Sequence, residues 1–180
     1  MWPSFEGVWK SGQGRKAAVA AINPLVERSR QRLLGIPEIV WLDPYMIGFM
    51  IMLITLIAKR EAKVRTSQAL AHAQSSAWAA ITGMRGDLVG EEVALLSATR
   101  DEAFEIGCYN ALVFGRALYG GAISVDSDWA TLWDETTHGA PLAAELPTME
   151  AREKEGALAD LWADCFDAHV LEIASARAPR

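Results

Sequence analysis

Residues 46–60 read MIGFMIMLITLIAKR: thirteen residues from Met46 to Ala58 with one hydroxyl, Thr55, and one glycine, Gly48, before Lys59 and Arg60 close the run. A helix made of these residues has no polar face, so it cannot lie half-wet on a surface and must be enclosed on every side. Lipid is one way to enclose it, but a span needs about 20 apolar residues, and extension backward meets Asp43 at once. Cations stand on both sides, Arg28, Arg30 and Arg32 before the run and Lys59, Arg60, Lys63 and Arg65 after it, so charge specifies no orientation across a bilayer. The run therefore reads as a protein core or a subunit interface, with Ile47, Met50, Ile51, Ile54 and Ile57 as its contact residues. The alternative is a membrane-associated protein anchored through helix 46–58 and its basic flanks.

Working outward, Asp43-Pro44 is the clearest helix start in the chain. An Asp side chain satisfies orphan amides, and Pro at the first helical position loses no hydrogen bond and is already at helical φ. No breaker follows until Gly83, which predicts one helix over 44–83, about 60 Å if unbroken. Its second half carries Ala69, Ala73 and Ala77 on one face, small enough to let another helix approach closely. Gly83 and Gly86 mark a turn with Asp87 as a cap, and a second long helix, 87–119, has a seam of Leu96, Thr99, Ala103, Ile106, Asn110, Val113 and Ala117. A short connection between long helices implies an antiparallel hairpin that sets 46–58 opposite 112–124.

Two flanking helices complete the expectation. One spans 16–34 with Val19, Ile22, Val26 and Leu33 inward and Pro24 as a kink or a later start. The other spans 148–177 with Leu158, Leu161, Trp162, Phe166, Val170 and Ile173 inward. Residues 1–15 form an aromatic arm, with Trp2, Phe5 and Trp9 packed on the bundle or, alternatively, serving as a docking peptide or an interfacial anchor, and Gly12-Gln13-Gly14 a flexible join. Period-two alternation and Asn-Gly or Asp-Gly hairpins are missing, so the fold class is all-α: a single helical domain, a bundle built on the hairpin 44–119. With 51% apolar residues and seven Trp among 180, the chain has material for a sizeable core and is not a disordered one.

Chemistry-bearing patterns are sparse. Cys165 and His169, four apart on one helix, are a weak metal pair to which Cys108 or His72 could add a ligand; the bland alternative is a small core thiol and a His paired with Asp or with Glu172. As nucleophile and base the same pair lacks an oxyanion loop. Asp101/Glu105 and Asp164/Asp167 are carboxylate pairs of the kind that solvated helix faces generate. Gly7 to Gly12 has phosphate-loop spacing, but Gln13 stands where Lys is required. No cofactor is implied, and the expectation leans away from an enzyme.

Charge is uneven: residues 1–65 carry ten Lys and Arg against five acids, and residues 66–180 carry seven against eighteen, so the parts are +5 and −11 within a chain of −6. The basic part either lies on the acidic part, within or between subunits, or faces an anionic membrane surface; nucleic acid is disfavoured by the net acidity and the missing recognition motif. The N-terminus lacks a cationic segment followed by an apolar one, and with two isolated Cys the default location is the cytoplasm. The expected function is a non-enzymatic interaction or scaffold protein whose first partner is itself, as a homo-oligomer.

Overall fold

In a computed structural model the backbone is described for residues 5–120 and 151–176 and the side chains for 9–120 and 155–176. These residues are helical with no strand among them: α1 (Phe5–Arg32), a 3₁₀ turn (Glu38–Leu42), α2 (Pro44–Ala62), α3 (Ser67–Thr82), α4 (Gly86–Thr99), α5 (Glu102–Tyr119), α6 (Ala151–Trp162), a π-helical turn (Ala163–Asp167) and α7 (Ala168–Ala176). The last three run on as one C-terminal helix, since Trp162 and Ala168 both keep helical φ and ψ.

The apolar run forms α2, which starts where expected. Asp43 Oδ1 accepts from the amides of Tyr45 (3.0 Å) and Met46 (3.4 Å), with Pro44 in the first turn. α1, α3, α5 and the C-terminal helix surround it, and every residue from Tyr45 to Ala58 except Leu56 is buried. Thr55, the one hydroxyl of residues 46–58, donates to the Ile51 carbonyl at 2.7 Å and accepts from Gln74 Nε2 at 2.8 Å, so enclosure leaves it satisfied. No helix among the described residues is long and apolar enough to cross a membrane.

The long hairpin is not what forms. The predicted helix 44–83 stops at Lys63, which takes left-handed φ of 50°, and Thr66 caps α3 through its hydroxyl. The predicted helix 87–119 stops at Arg100, φ 53°, and Asp101 caps α5 by accepting from the Phe104 amide at 3.0 Å. Neither break carries Gly or Pro, and only the caps Thr66 and Asp101 betray them. The chain therefore turns three times between α2 and α5, and these two helices run in the same direction: Gly48 lies against Phe104 and Cys108, and Arg60 sits over Tyr119. Residues 46–58 thus meet 104–119 in parallel, not 112–124 in antiparallel. The phase of α5 differs too, since restarting at Asp101 turns Phe104, Gly107, Cys108, Ala111 and Phe114 inward and leaves Thr99, Ala103 and Ile106 of the expected seam exposed. The C-terminal stripe, by contrast, packs on the core as read, and so do Ala69, Ala73 and Ala77.

The first helix starts earlier than expected. Residues 5–15 belong to α1, and Pro24 stands inside it. Gly14 is no hinge: a Cβ there would meet Val64 Cγ2 at 3.0 Å and Ala58 Cβ at 3.1 Å. A tighter approach joins α2 and α5. A Cβ on Gly48 would stand 2.2 Å from the Phe104 carbonyl oxygen, and one on Gly107 would stand 2.1 Å from that of Tyr45, so the two backbones touch. Around this crossing an aromatic cluster ties five elements, counting the C-terminal helix once: Phe49 neighbours Phe114, Trp162 and Phe166, Trp162 stacks on Phe166 at 4.6 Å, and Trp41 links Phe166 to Trp78.

Gly107→Ala is expected to cost about 3 kcal/mol, because the backbone across from it cannot yield as a side chain would. Gly90→Ala, on α4 with open space around it, is expected to gain about 0.5–1 kcal/mol from helix propensity. Urea unfolding of the two variants measures the contrast, and equal effects would refute the close crossing.

Candidate functional site

Each end of α2 gathers polar residues, and the two ends differ in kind. At the N-terminal end His169 Nε2 lies 2.9 Å from Asp43 Oδ1. An ionised carboxylate only accepts, which assigns the proton to Nε2. The His169 ring lies against Tyr45 with centroids 4.0 Å apart, and its Nδ1 faces Glu172 at 3.5 Å. Tyr45 donates to the Cys165 carbonyl at 2.8 Å and accepts from Asn110 Nδ2 at 2.9 Å. One side chain thus binds α2 to α5 and to the π-helical turn, while the widened turn presents a carbonyl to a donor outside its own helix. Burial pushes the Tyr45 phenol up to about 12, so it stays a neutral donor.

Cys165 and His169 do not converge on an open site. Cys165 is buried, and that burial together with Asp164 pushes its thiol up to about 11. Cys108, whose Sγ lies 3.5 Å from the Gly48 carbonyl, is pushed up to about 12 by burial and Glu105. Protonated thiols are poor nucleophiles and poor ligands. His72 is exposed on α3, and among the described residues no three His, Cys, Asp or Glu side chains are grouped to hold a metal. The pair Asp164/Asp167 is not a solvated face either: Asp167 is buried in the π-helical turn, and its carboxylate is paired with the Arg32 guanidinium. Periodicity could not reveal this, because the π turn rotates Asp167 inward relative to an unbroken α-helix.

Beside this end lies a shallow apolar groove of about 370 Å³, between Leu33–Pro37 and Val170–Ala174. Leu34 beside it is 97% exposed, with φ of 57°.

The C-terminal end of α2 is a basic pole. Gly14 sets α1 against Val64 and Ala73, and Arg60 lies 4.3 Å from the Tyr119 ring centroid, so the starts of α1 and α3 and the ends of α2 and α5 meet here. Arg15, Lys16, Arg60, Lys63, Arg65 and Arg116 are exposed at this pole, with Lys10 and Lys59 partly so. Among the described side chains of these four helix ends Glu61 is the one acid, and Glu155 of the C-terminal helix, which runs antiparallel to α2, lies toward the same end. Trp9 in α1 is 60% exposed here and not packed down on the bundle. Trp2 lies outside the described residues. Burial and Glu61 push Tyr119 up to about 12, so the ring beneath Arg60 is a neutral phenol. At the other end Arg30 pairs with Glu27, Arg32 with Asp167, Arg85 with Asp87 and Arg100 with Glu105, and at the pole Lys10, Lys59 and Arg60 have interaction partners too. Charges from distant parts of the sequence converge on the pole, which explains why no local motif announced it.

The interaction residues expected from the apolar run have another place. Ile47, Met50, Ile51, Ile54 and Ile57 lie beneath the chain's own helices, so a second copy cannot reach them without opening the bundle.

Tyr45→Phe orphans the Asn110 amide and the Cys165 carbonyl and is expected to cost about 1–2 kcal/mol. Arg32→Ala is expected to cost roughly 2 kcal/mol, less than orphaning a fully buried pair, because Arg32 itself is half-exposed. The fold holds the neutral forms of Tyr45, Cys108 and Cys165, whose folded pKa values are raised above their ordinary ones. Their stabilisation is therefore complete below about pH 9 and drains as pH climbs toward 12. Urea midpoints across that range should fall, and fall less in Cys108→Ala. Comparison of the chain with protein-family models, with curated proteins and with solved structures returns no match, so its function is to be read from these two ends.

Proposed function

We propose that the chain is a non-enzymatic helical interaction protein that works through its surface, its partner being a further copy of itself, another protein or an anionic membrane surface. The observation that carries this reading is the division of labour along α2. Its apolar length is consumed by the chain's own helices, and its C-terminal end holds cations toward solvent where four helix ends meet. The His169–Asp43–Tyr45 cluster supports the same reading, because its polar atoms are spent on one another and on backbone, which is the work of a clasp.

The alternative, anchoring through 46–58, would have to expose thirteen residues that now make the core. At about 0.8 kcal/mol per buried methylene, pulling them out of protein and into lipid forfeits packing without gaining hydrophobic transfer. Self-association, where it occurs, then uses side chains outside α2.

Light scattering behind a sizing column, in detergent-free buffer at low and high salt, tests the reading. A monodisperse particle of one chain or of a small whole number of chains is expected, with its mass unchanged by mild detergent. Protein recovered only in detergent would overturn it and make 46–58 an anchor.

A further inference from the structure

We infer that the basic pole docks on an anionic phospholipid surface, with Trp9 entering the headgroup layer. The inference rests on the reading above and names the partner of the surface described there. Three observations carry it. First, cations from α1, α2, the connection between α2 and α3, and α5 share one end of the bundle, so they meet a single plane together; a bilayer offers such a plane, with charge everywhere on it. Second, an exposed Trp stands beside these cations, and an amphipathic indole partitions to the level of the headgroups, where its ring is apolar and its N–H is wet. Third, Glu102 and Glu105 at the start of α5 and Asp164, Asp167 and Glu172 in the later turns of the C-terminal helix lie toward the opposite end, while Glu155 in its early turns lies toward the pole; the resulting charge dipole still turns this end toward a negative surface despite the net charge of −6.

The fit differs from that of a duplex reader. Among the described residues no helix projects from the pole to enter a groove, and the remaining acidic surface repels a long polyanion that wraps the particle. A bilayer touches only the end presented to it.

The test uses the full chain and sedimentation with vesicles of phosphatidylcholine, with and without phosphatidylserine, at low and high salt. Binding is expected only with phosphatidylserine, released by salt as screening shortens the reach of the charges. Arg15→Glu/Arg65→Glu, which alters two exposed side chains, should weaken binding about tenfold or more, while Arg85→Glu at the other end should leave it unchanged. Trp9→Ala should weaken binding without abolishing its salt dependence. Circular dichroism of each variant verifies the fold.

Equal binding to both vesicle types, or unchanged binding of the double reversal, would overturn the proposal. So would tighter, competing binding of an RNA or DNA oligomer. Residues 121–150 hold six acids and no Lys or Arg, between Gly120 and Ala151. If vesicle binding appears only once Asp126, Asp128, Asp134 and Glu135 are made amides, the chain's own acids take the place of lipid, which also overturns it. All these failures leave a monodisperse particle intact, whereas loss of the interaction reading itself would appear as detergent-dependent recovery.

Discussion

The contact on which the rest of the fold depends is the crossing of α2 and α5 at Gly48 and Gly107. Each glycine faces a carbonyl oxygen of the other helix closely enough that no side chain fits between. Backbones that touch give up the side-chain layer that normally separates helices, and they gain close-packed contact along the neighbouring turns. Phe49, Phe114 and Trp162 then fill the wedge that opens beside the crossing, and Cys108 fits where a larger residue would not. A parallel pair cannot be joined by a short turn, so α3 and α4 exist in part as the return path between the end of α2 and the start of α5.

Enclosing α2 so fully raises the demand on its polar groups, and the structure meets it with few of them. Thr55 is answered by its own helix and by Gln74. Tyr45 reaches through the apolar layer to α5 and the C-terminal helix at once. Asp43 both caps α2 and holds His169, so the start of the central helix and the seat of the last one share one carboxylate. The C-terminal helix accommodates this by widening for one turn, which buries Asp167 and calls in Arg32 from the end of α1. Such a network couples the two ends of the sequence. It explains why a helix far along the chain can be as much a part of the core as α2 itself.

The opposite end of α2 follows different rules. Helix C-termini favour cations, and Lys59, Arg60 and Lys63 at the end of α2 complement its dipole. Once α1 begins beside them, its own cations and Arg65, just before α3, add to the same patch. The charge asymmetry along the sequence thereby becomes an asymmetry between the two ends of a folded object, though not a simple one: Arg28, Arg30 and Arg32 also belong to the basic part of the sequence and lie at the other end.

Much was determined by local chemistry and periodicity. An apolar run with no polar face must be enclosed, Asp-Pro must start a helix, and stripes at helical spacing on α1, α3 and the C-terminal helix must turn inward. These follow from chain stereochemistry and from the cost of wet hydrocarbon, both of which act within a few residues. What tertiary structure alone decided is where the long helices break, in which direction α5 runs beside α2, and which carboxylates are buried. Lys63 and Arg100 take left-handed φ without being glycine because the glycine crossing and its aromatic cluster stabilise the parallel pairing by more than two strained residues cost. A balance between distant contacts and local strain is not written in any single stretch of residues, and the basic pole, assembled from four helix ends, is a consequence of that same balance.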